Sequence, residues 1–305
     1  MAEEPLLGGV ELGGTKCVCL IGTREGAIRA QTQVPTGRDA AATLRQIEDV
    51  LGKLRSVHGP FAALGIASFG PLELRRESPG YGRIGSTSKE GWTDCDLAGF
   101  FSSRFRCGMG LSTDVIGAAL AEGRWGAARG LSDFAYVTVG TGVGVGLVAA
   151  GKPLHGWHHP ELGHVRVPRL PGDSFPGVCR FHGDCVEGLA SGPAIEARSG
   201  APPAELRPDS PVWDTVAHAL AQLAHVLVLA TGPQRILIGG GVMSAQPQLF
   251  AGVRSRLRAS LNGYMRIESV PGGLEAYLVP PGLGVHAGPL GALALAAEAL
   301  AGGPP

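Results

Sequence analysis

Apolar residues along this 305-residue chain come in short blocks of two periods, and the blocks alternate. Gly8 to Leu12 and Cys17 to Gly22 read as strands on either side of a glycine turn, Gly13-Gly14-Thr15-Lys16, and a third strand follows over Ala27 to Val34. From Ala40 to Val57 the period changes: Leu44, Ile47, Leu51 and Leu54 recur at three- and four-residue spacing, which predicts a helix. Phe61 to Phe69 is a buried strand that ends at Gly70-Pro71, and the polar stretch from Leu72 to Asp96 reads as a long loop able to carry binding groups. The second half repeats the opening. Phe134 to Val139 and Val145 to Ala150 are strands around Gly140-Thr141-Gly142-Val143-Gly144. Pro211 to Ala230 is a helix with Val216, Leu220, Leu223 and Leu227 on one face, and a strand over Arg235 to Ile238 runs into Gly239-Gly240-Gly241 and a helix from Met243. An Ala/Leu-rich helix over Leu290 to Leu300 closes the pattern. Alternating strands and helices predict an α/β fold, and the repeated strand–turn–strand unit suggests a duplicated lobe with a cleft between the copies.

Composition narrows the function. Lysine and arginine balance aspartate and glutamate at 26 each, so nothing in the charge points to nucleic acid or an anionic membrane. No breaker-free run of about 18 apolar residues appears, and the acidic start lacks the apolar core of a signal peptide, so a soluble, cytoplasmic protein is expected. Six cysteines in this length do not make a disulfide scaffold. Cys17 and Cys19 read as packing residues, and Cys95 and Cys107 have no partner pattern. Glycine stands out at 49 residues, roughly twice the usual share, and its grouping after apolar runs points to tight functional turns.

Three glycine turns are candidate phosphate sites. In Glu11-Leu12-Gly13-Gly14-Thr15-Lys16 the paired glycines would let backbone N–H groups approach an anion, with a hydroxyl and a cation beside them, although the same residues also suit an ordinary hairpin. Gly140-Thr141-Gly142 offers the same chemistry and the same alternative, while Gly240 and Gly241 open a helix N-terminus. Asp114 in Ser112-Thr113-Asp114-Val115 is either a general base for an alcohol or, with Thr113, the cap of the next helix. Cys179-x2-His182-x2-Cys185 has the ligand types and spacing of a tetrahedral Zn²⁺ site, with His158, His159 and His164 as candidates for the fourth position. His218 and His225, without carboxylate or cysteine partners at ligand spacing, read as structural or exposed.

These motifs in this order resemble the ROK family (repressors, open reading frames and kinases), and within it the bacterial fructokinase branch. Thr113-Asp114-Val115, Trp125 to Leu131, His159-Pro160-Glu161-Leu162-Gly163-His164 and Phe181 to Ile195 carry the likeness most specifically. Cys-Arg-Phe-His-Gly-Asp-Cys is similar to the branch's own form of the zinc loop, with Arg180 in place of the usual proline. The resemblance implies an actin-like ATPase (ribonuclease H-like) fold with two lobes. It implies an N-terminal lobe over 1–115, with helix 288–305 packed back on it, and a C-terminal lobe over 116–287 with a zinc loop over 158–187. It makes Asp114 the catalytic base, and Thr113, Glu161, His164 and Glu187 the sugar contacts. His164, Cys179, His182 and Cys185 become the ligands of a structural Zn²⁺. Glu11, Gly13, Gly14, Thr15, Lys16, Gly140, Thr141, Gly142, Gly240 and Gly241 become the ATP site.

Departures are visible. Ile116 stands where relatives usually have asparagine, Val145 replaces a common glycine, and Ile84 to Trp92 matches the family's Thr-Pro-Lys-Pro-Gly-Trp stretch only loosely. The implied reaction is Mg²⁺-dependent transfer of the ATP γ-phosphate to O6 of D-fructose by a cytoplasmic homodimer, with no nucleic-acid or membrane partner. Another ROK hexokinase, acting on glucose, mannose or an N-acetylated amino sugar, and a non-catalytic sugar-binding regulator are the alternatives. A ROK repressor would need a winged-helix domain ahead of Gly13, where this sequence offers no room.

Overall fold

A computed structural model describes residues 5–302; the acidic start and positions 303–305 of the expected terminal helix lie outside the described residues. The chain forms two compact units. The first runs through Arg129 and includes Pro153–Pro160 and the chain from Val285 onwards; the second holds Gly130–Lys152 and Glu161–Gly284. Strands β1 (Leu6–Leu12), β2 (Lys16–Gly22) and β3 (Ile28–Pro35) lead to helix α1 (Ala40–His58). Strand β4 (Phe61–Ser68), helix α2 (Leu97–Arg104), strand β5 (Gly108–Thr113) and helix α3 (Asp114–Trp125) follow. The second unit has strands β6 (Phe134–Val139), β7 (Val143–Ala149) and β8 (Lys152–Pro153), then helices α4 (Val186–Ala190), α5 (Gly192–Ser199) and α6 (Val212–Thr231). Strand β9 (Arg235–Gly239), helices α7 (Gly241–Ala245), α8 (Leu249–Leu261) and α9 (Gly273–Tyr277), and strand β10 (Leu278–Val279) complete it, and α10 (Ala287–Ala301) returns to the first unit.

Each unit carries a five-stranded mixed sheet, in the orders β3-β2-β1-β4-β5 and β10-β9-β6-β7-β8. In both, an antiparallel hairpin is extended by parallel strands reached through helical crossovers: β1 pairs with β2 antiparallel and β4 parallel, and β6 pairs with β7 antiparallel and β9 parallel. Helix α1 forms as its periodicity predicts. Asp39 caps it, its carboxylate accepting the Ala42 N–H at 2.9 Å, and Leu44, Ile47, Leu51 and Leu54 are buried. Helix α6 and the stretch Gly284–Ala301 are long and apolar enough to cross a bilayer, yet over half of each window is buried in the protein.

Several sequence expectations change. The boundary drawn between 115 and 116 falls inside α3, because Asp114 starts a helix that packs along α10; the first unit continues to Arg129. Residues 158–160 of the expected zinc loop belong to the first unit. Strand β7 begins at Val143 rather than Val145, so the second glycine turn is shorter, and the helix from Met243 is two helices, α7 and α8.

Not all the glycines serve turns. Gly9, Gly65 and Gly110 are in register across β1, β4 and β5. A Cβ on Gly65 or Gly110 would collide with the Ala292 or Leu295 carbonyl oxygen of α10, and one on Gly9 would stand 3.1 Å from the Ala292 Cβ. Gly117 and Gly291 likewise bring the backbones of α3 and α10 together. This row of absent side chains lets α10 lie directly on the sheet, where a row of alanines would hold it off.

Candidate active site and metal centre

In the first unit the glycine turn Gly13–Lys16 joins β1 to β2. The Gly13 N–H donates to the Lys16 carbonyl at 3.0 Å, and Thr36 braces the turn from β3's end, its Oγ1 donating to the Gly13 carbonyl at 2.8 Å. Gly14, Thr15 and Lys16 are exposed, and nothing occupies the space where a Gly14 Cβ would stand. Glu11, on β1 just before the turn, lies beside the start of α10, where a Cβ on Gly288 would strike its carboxylate. Burial first, and the charge of Asp114 second, push the Glu11 carboxyl up to about 7 against the opposing pull of Lys16.

Asp114 sits where β5 turns into α3, and the structure divides the two roles that its sequence left open. Thr113 is the cap: its Oγ1 accepts the Ile116 N–H at 3.3 Å, and its side chain is buried. The cap uses one lone pair of the Thr113 hydroxyl and leaves its O–H able to donate. Asp114, one residue on, does not cap the helix; its Oδ1 accepts the Val115 N–H at 2.8 Å, and its own backbone N–H also bonds the carboxylate. Burial raises its carboxyl to about 6. Two carboxyls raised by burial, Glu11 beside the glycine turn and Asp114 near enough for its charge to act on Glu11, are suited to accepting a proton and to meeting a divalent cation. Ile116 points into the core at 1% exposure.

The second unit gathers its groups around β7. The Gly140 carbonyl accepts the Gly192 N–H at 2.7 Å and the Gly140 N–H donates to the Gly142 carbonyl at 2.9 Å, so the turn is held from α5. Leu162–His164 forms one 3₁₀ turn packed against the start of β7; a Cβ on Gly163 would collide with the Val143 carbonyl. Glu187, on α4, reaches the same strand, its Oε2 accepting the Val143 N–H at 3.1 Å and its Oε1 lying 4.0 Å from His164 Nδ1. Glu161 precedes the 3₁₀ turn and is exposed, as is Thr141.

His164, Cys179, His182 and Cys185 bring one ligand atom each within 4.8 Å of one another. Cys179 Sγ is 3.6 Å from Nδ1 of both His164 and His182, and Cys185 Sγ is 3.5 Å from His164 Nδ1. The sulfur–nitrogen edge of a tetrahedron with ordinary Zn–S and Zn–N bonds is ~3.6 Å, so this cluster has the size of a zinc site. His164 presents Nδ1 to the cluster and keeps Nε2 for another partner. Arg166 braces the loop from outside, donating to Asp184 and to the His182 carbonyl, both at 3.2 Å. Arg198 holds Asp173, which also pairs with Arg169, well below the usual carboxylate range.

The rival ligand His159 is elsewhere, in the first unit. Burial lowers its pKa to about 4, and its neutral Nε2 accepts the Leu72 N–H at 2.9 Å. His218 and His225 have the structural roles expected, contacting the Pro168 carbonyl and the Ser260 hydroxyl. Gly240 has φ +90° and packs on the Val139 backbone, which only glycine allows there, whereas Gly241 is open. One residue beside the first glycine turn escaped the sequence reading. Lys89 donates through Nζ to the Gly14 carbonyl at 2.6 Å. Its only signal was the match of Thr87-Ser88-Lys89-Glu90-Gly91-Trp92 to the lysine of the Thr-Pro-Lys-Pro-Gly-Trp stretch.

The ROK family model matches residues 7–299. The chain belongs to the ROK family. Among ROK relatives, a fructokinase from Pediococcus pentosaceus is 41% identical over 295 residues, covering 97% of this chain and 99% of that protein. A fructokinase from Zymomonas mobilis is 40% identical over 300 residues, covering 97% of this chain and 98% of that one. Among solved structures, the ROK hexokinase from Thermus thermophilus superposes with a TM-score of 0.79 at 27% identity, covering 98% of this chain and 100% of the other. The two mixed sheets and their crossovers are thus the actin-like ROK fold expected from the motifs.

Proposed function

We infer that this protein is an ATP-dependent fructokinase, transferring the γ-phosphate of ATP to O6 of D-fructose. The observation that carries the reading is Asp114: a carboxylate that Thr113 relieves of capping and whose charge acts on Glu11, in a chain 41% identical to a fructokinase over nearly its full length. Asp114 takes the proton from the O6 hydroxyl as that oxygen bonds to the γ-phosphorus. The bond from phosphorus to the β–γ bridging oxygen breaks, and ADP and fructose 6-phosphate leave. The turns at Gly13–Lys16 and Gly140–Gly142 supply N–H donors to the phosphates, with Lys16 adding charge, and Gly240 and Gly241 serve the adenosine end. Mg²⁺ bound with ATP supplies neutralisation of phosphate charge, and Glu11 is the carboxylate suited to hold it. In the second unit Glu161, Glu187 and the Nε2 of His164 are the partners of sugar hydroxyls.

The cluster of His164, Cys179, His182 and Cys185 fits a structural Zn²⁺, with all four positions supplied by protein. Holding His164 by Nδ1 fixes the ring beside Glu187, whose Oε2 separately holds the start of β7. The protein works as a homodimer in the cytoplasm, without nucleic-acid or membrane partners. Steady-state phosphorylation of fructose, glucose and mannose by metal-replete protein tests the reading. The expected result is the highest kcat/KM for fructose. Preference for glucose or mannose would move the protein to another hexokinase branch, and ATP turnover that no sugar stimulates would sink the kinase reading.

A further inference from the structure

We propose that Lys89 is a positioning residue for the nucleotide phosphates, orienting the donors of the Gly13–Lys16 turn by holding its carbonyls. The inference rests on that turn being the phosphate loop. The segment bearing Lys89 is anchored in the core. Trp92 is fully buried and donates its Nε1–H to the Gly37 carbonyl at 2.8 Å. Gly91, at φ +78°, packs on the Arg38 carbonyl so closely that a Cβ would collide with it. From this anchor the Lys89 ammonium donates to the Gly14 carbonyl at 2.6 Å and to the Thr36 carbonyl at 3.2 Å.

Thr36 completes the brace. Its Oγ1 donates to the Gly13 carbonyl at 2.8 Å and its N–H to the Thr15 carbonyl at 3.0 Å. The carbonyls of three successive residues are therefore tied. In a trans peptide the C=O and the following N–H point in opposite directions, so tying the Gly13 and Gly14 carbonyls turns the Gly14 and Thr15 N–H groups the other way. Among the described residues no backbone acceptor meets either N–H, and the Gly14 Cα faces open space. The result is a pair of aimed donors where an anion fits. An ammonium has three N–H bonds, and Lys89 uses two of them on the brace while adding a second positive charge to that of Lys16.

Lys89→Met, Lys89→Arg and Thr36→Val test this by calorimetry with the β,γ-imido analogue of ATP and, separately, with fructose. Loss of a charge-assisted hydrogen bond predicts that Lys89→Met weakens analogue binding by ~10-fold or more while leaving fructose affinity within about 2-fold. Lys89→Arg keeps the charge and donors and recovers most of the loss. Thr36→Val, which cuts the Gly13 tie and the contact with the Cys17 thiol but keeps the backbone bond to the Thr15 carbonyl, weakens the analogue in the same selective way. Unchanged analogue binding by Lys89→Met, or equal loss of both ligands, would overturn the proposal. Lys16→Met and Gly14→Val separate it from the reading beneath it. If they leave analogue binding intact, the phosphate-loop assignment fails; if they weaken it and Lys89→Met does not, only the role of Lys89 fails.

Discussion

Replacing Asp114 with asparagine should slow the enzyme and stabilise it at the same time. Asparagine keeps the acceptor for the Val115 N–H, so the turn into α3 is preserved, but it cannot take a proton from a hydroxyl. Loss of a general base predicts a fall in kcat of at least ~100-fold. The stability change has the opposite sign. Burial raises the Asp114 carboxyl from 3.8 to about 6, so the folded state holds its proton more tightly than the unfolded chain. The stability tied to that proton is fully present below pH 3.8 and is lost as pH rises through about 6. At pH 7.5 the folded wild type carries the whole cost of the buried charge. A difference of roughly two pKa units corresponds to up to about 3 kcal/mol. Asp114→Asn removes that cost and also the negative charge that helps to raise Glu11. Three of the four tryptophans (Trp92, Trp125 and Trp157) lie in the first unit, so urea unfolding followed by fluorescence reports mainly on it. The expected outcome is a higher midpoint for the variant at pH 7.5 and convergence with wild type near pH 4. Wild-type kcat/KM should also fall with acid on a limb near pH 6. Near-normal turnover in the variant refutes the base, and a midpoint that drops at pH 7.5 refutes the buried-charge argument.

Elemental analysis should find one zinc per chain, and Cys179→Ser should lose the metal and lower stability. A metal-free preparation with full activity and an unchanged melting temperature would rule out a structural zinc. Glu187→Ala leaves the Val143 N–H, on a residue 3% exposed, without its acceptor, at a cost of about 1–3 kcal/mol; hydrogen exchange at that amide should speed up, whereas Glu187→Gln keeps an acceptor and the protection. Gly65→Ala places a Cβ against the Ala292 carbonyl, with the Ala296 nitrogen 2.6 Å away. A backbone clash of this kind should cost about 1–3 kcal/mol or more, and a variant that melts with wild type would show that α10 can ride higher on the sheet.

What could be read from the sequence divides along a physical line. Helices α1 and α6 and the paired hairpins announce themselves because apolar spacing is a local property of the chain. Strand β5, Gly108–Thr113, is harder to read: two of its six residues are glycines, Gly110 is placed to admit α10, and a glycine that receives a helix looks like a glycine that makes a turn. The Thr113-Asp114 pair was ambiguous for a similar reason. Capping and proton abstraction both want a small polar side chain at a strand end. Only the Thr113 Oγ1 to Ile116 N–H bond shows that the first residue caps and the second is spared.

The two glycine turns carry this furthest. Their composition says that the backbone can bend closely around an anion, but not which way its dipoles point. Direction comes from partners remote in sequence: Thr36 and Lys89 for the first turn, Gly192 and Glu187 for the second. In the second turn the Gly192 N–H ties the Gly140 carbonyl, which turns the Thr141 N–H away from α5 by the same peptide geometry that turns the Gly14 N–H away from Thr36. Glu187 meanwhile holds the Val143 N–H and lies beside His164, so the proposed metal cluster and the second turn are neighbours through this one side chain. On the proposed assignment, loosening the metal loop should therefore disturb the proposed phosphate contacts of the second turn as well as the proposed sugar contacts. Zinc loss should then raise KM for ATP along with KM for fructose, and a metal-depleted protein with only the fructose KM altered would break that link.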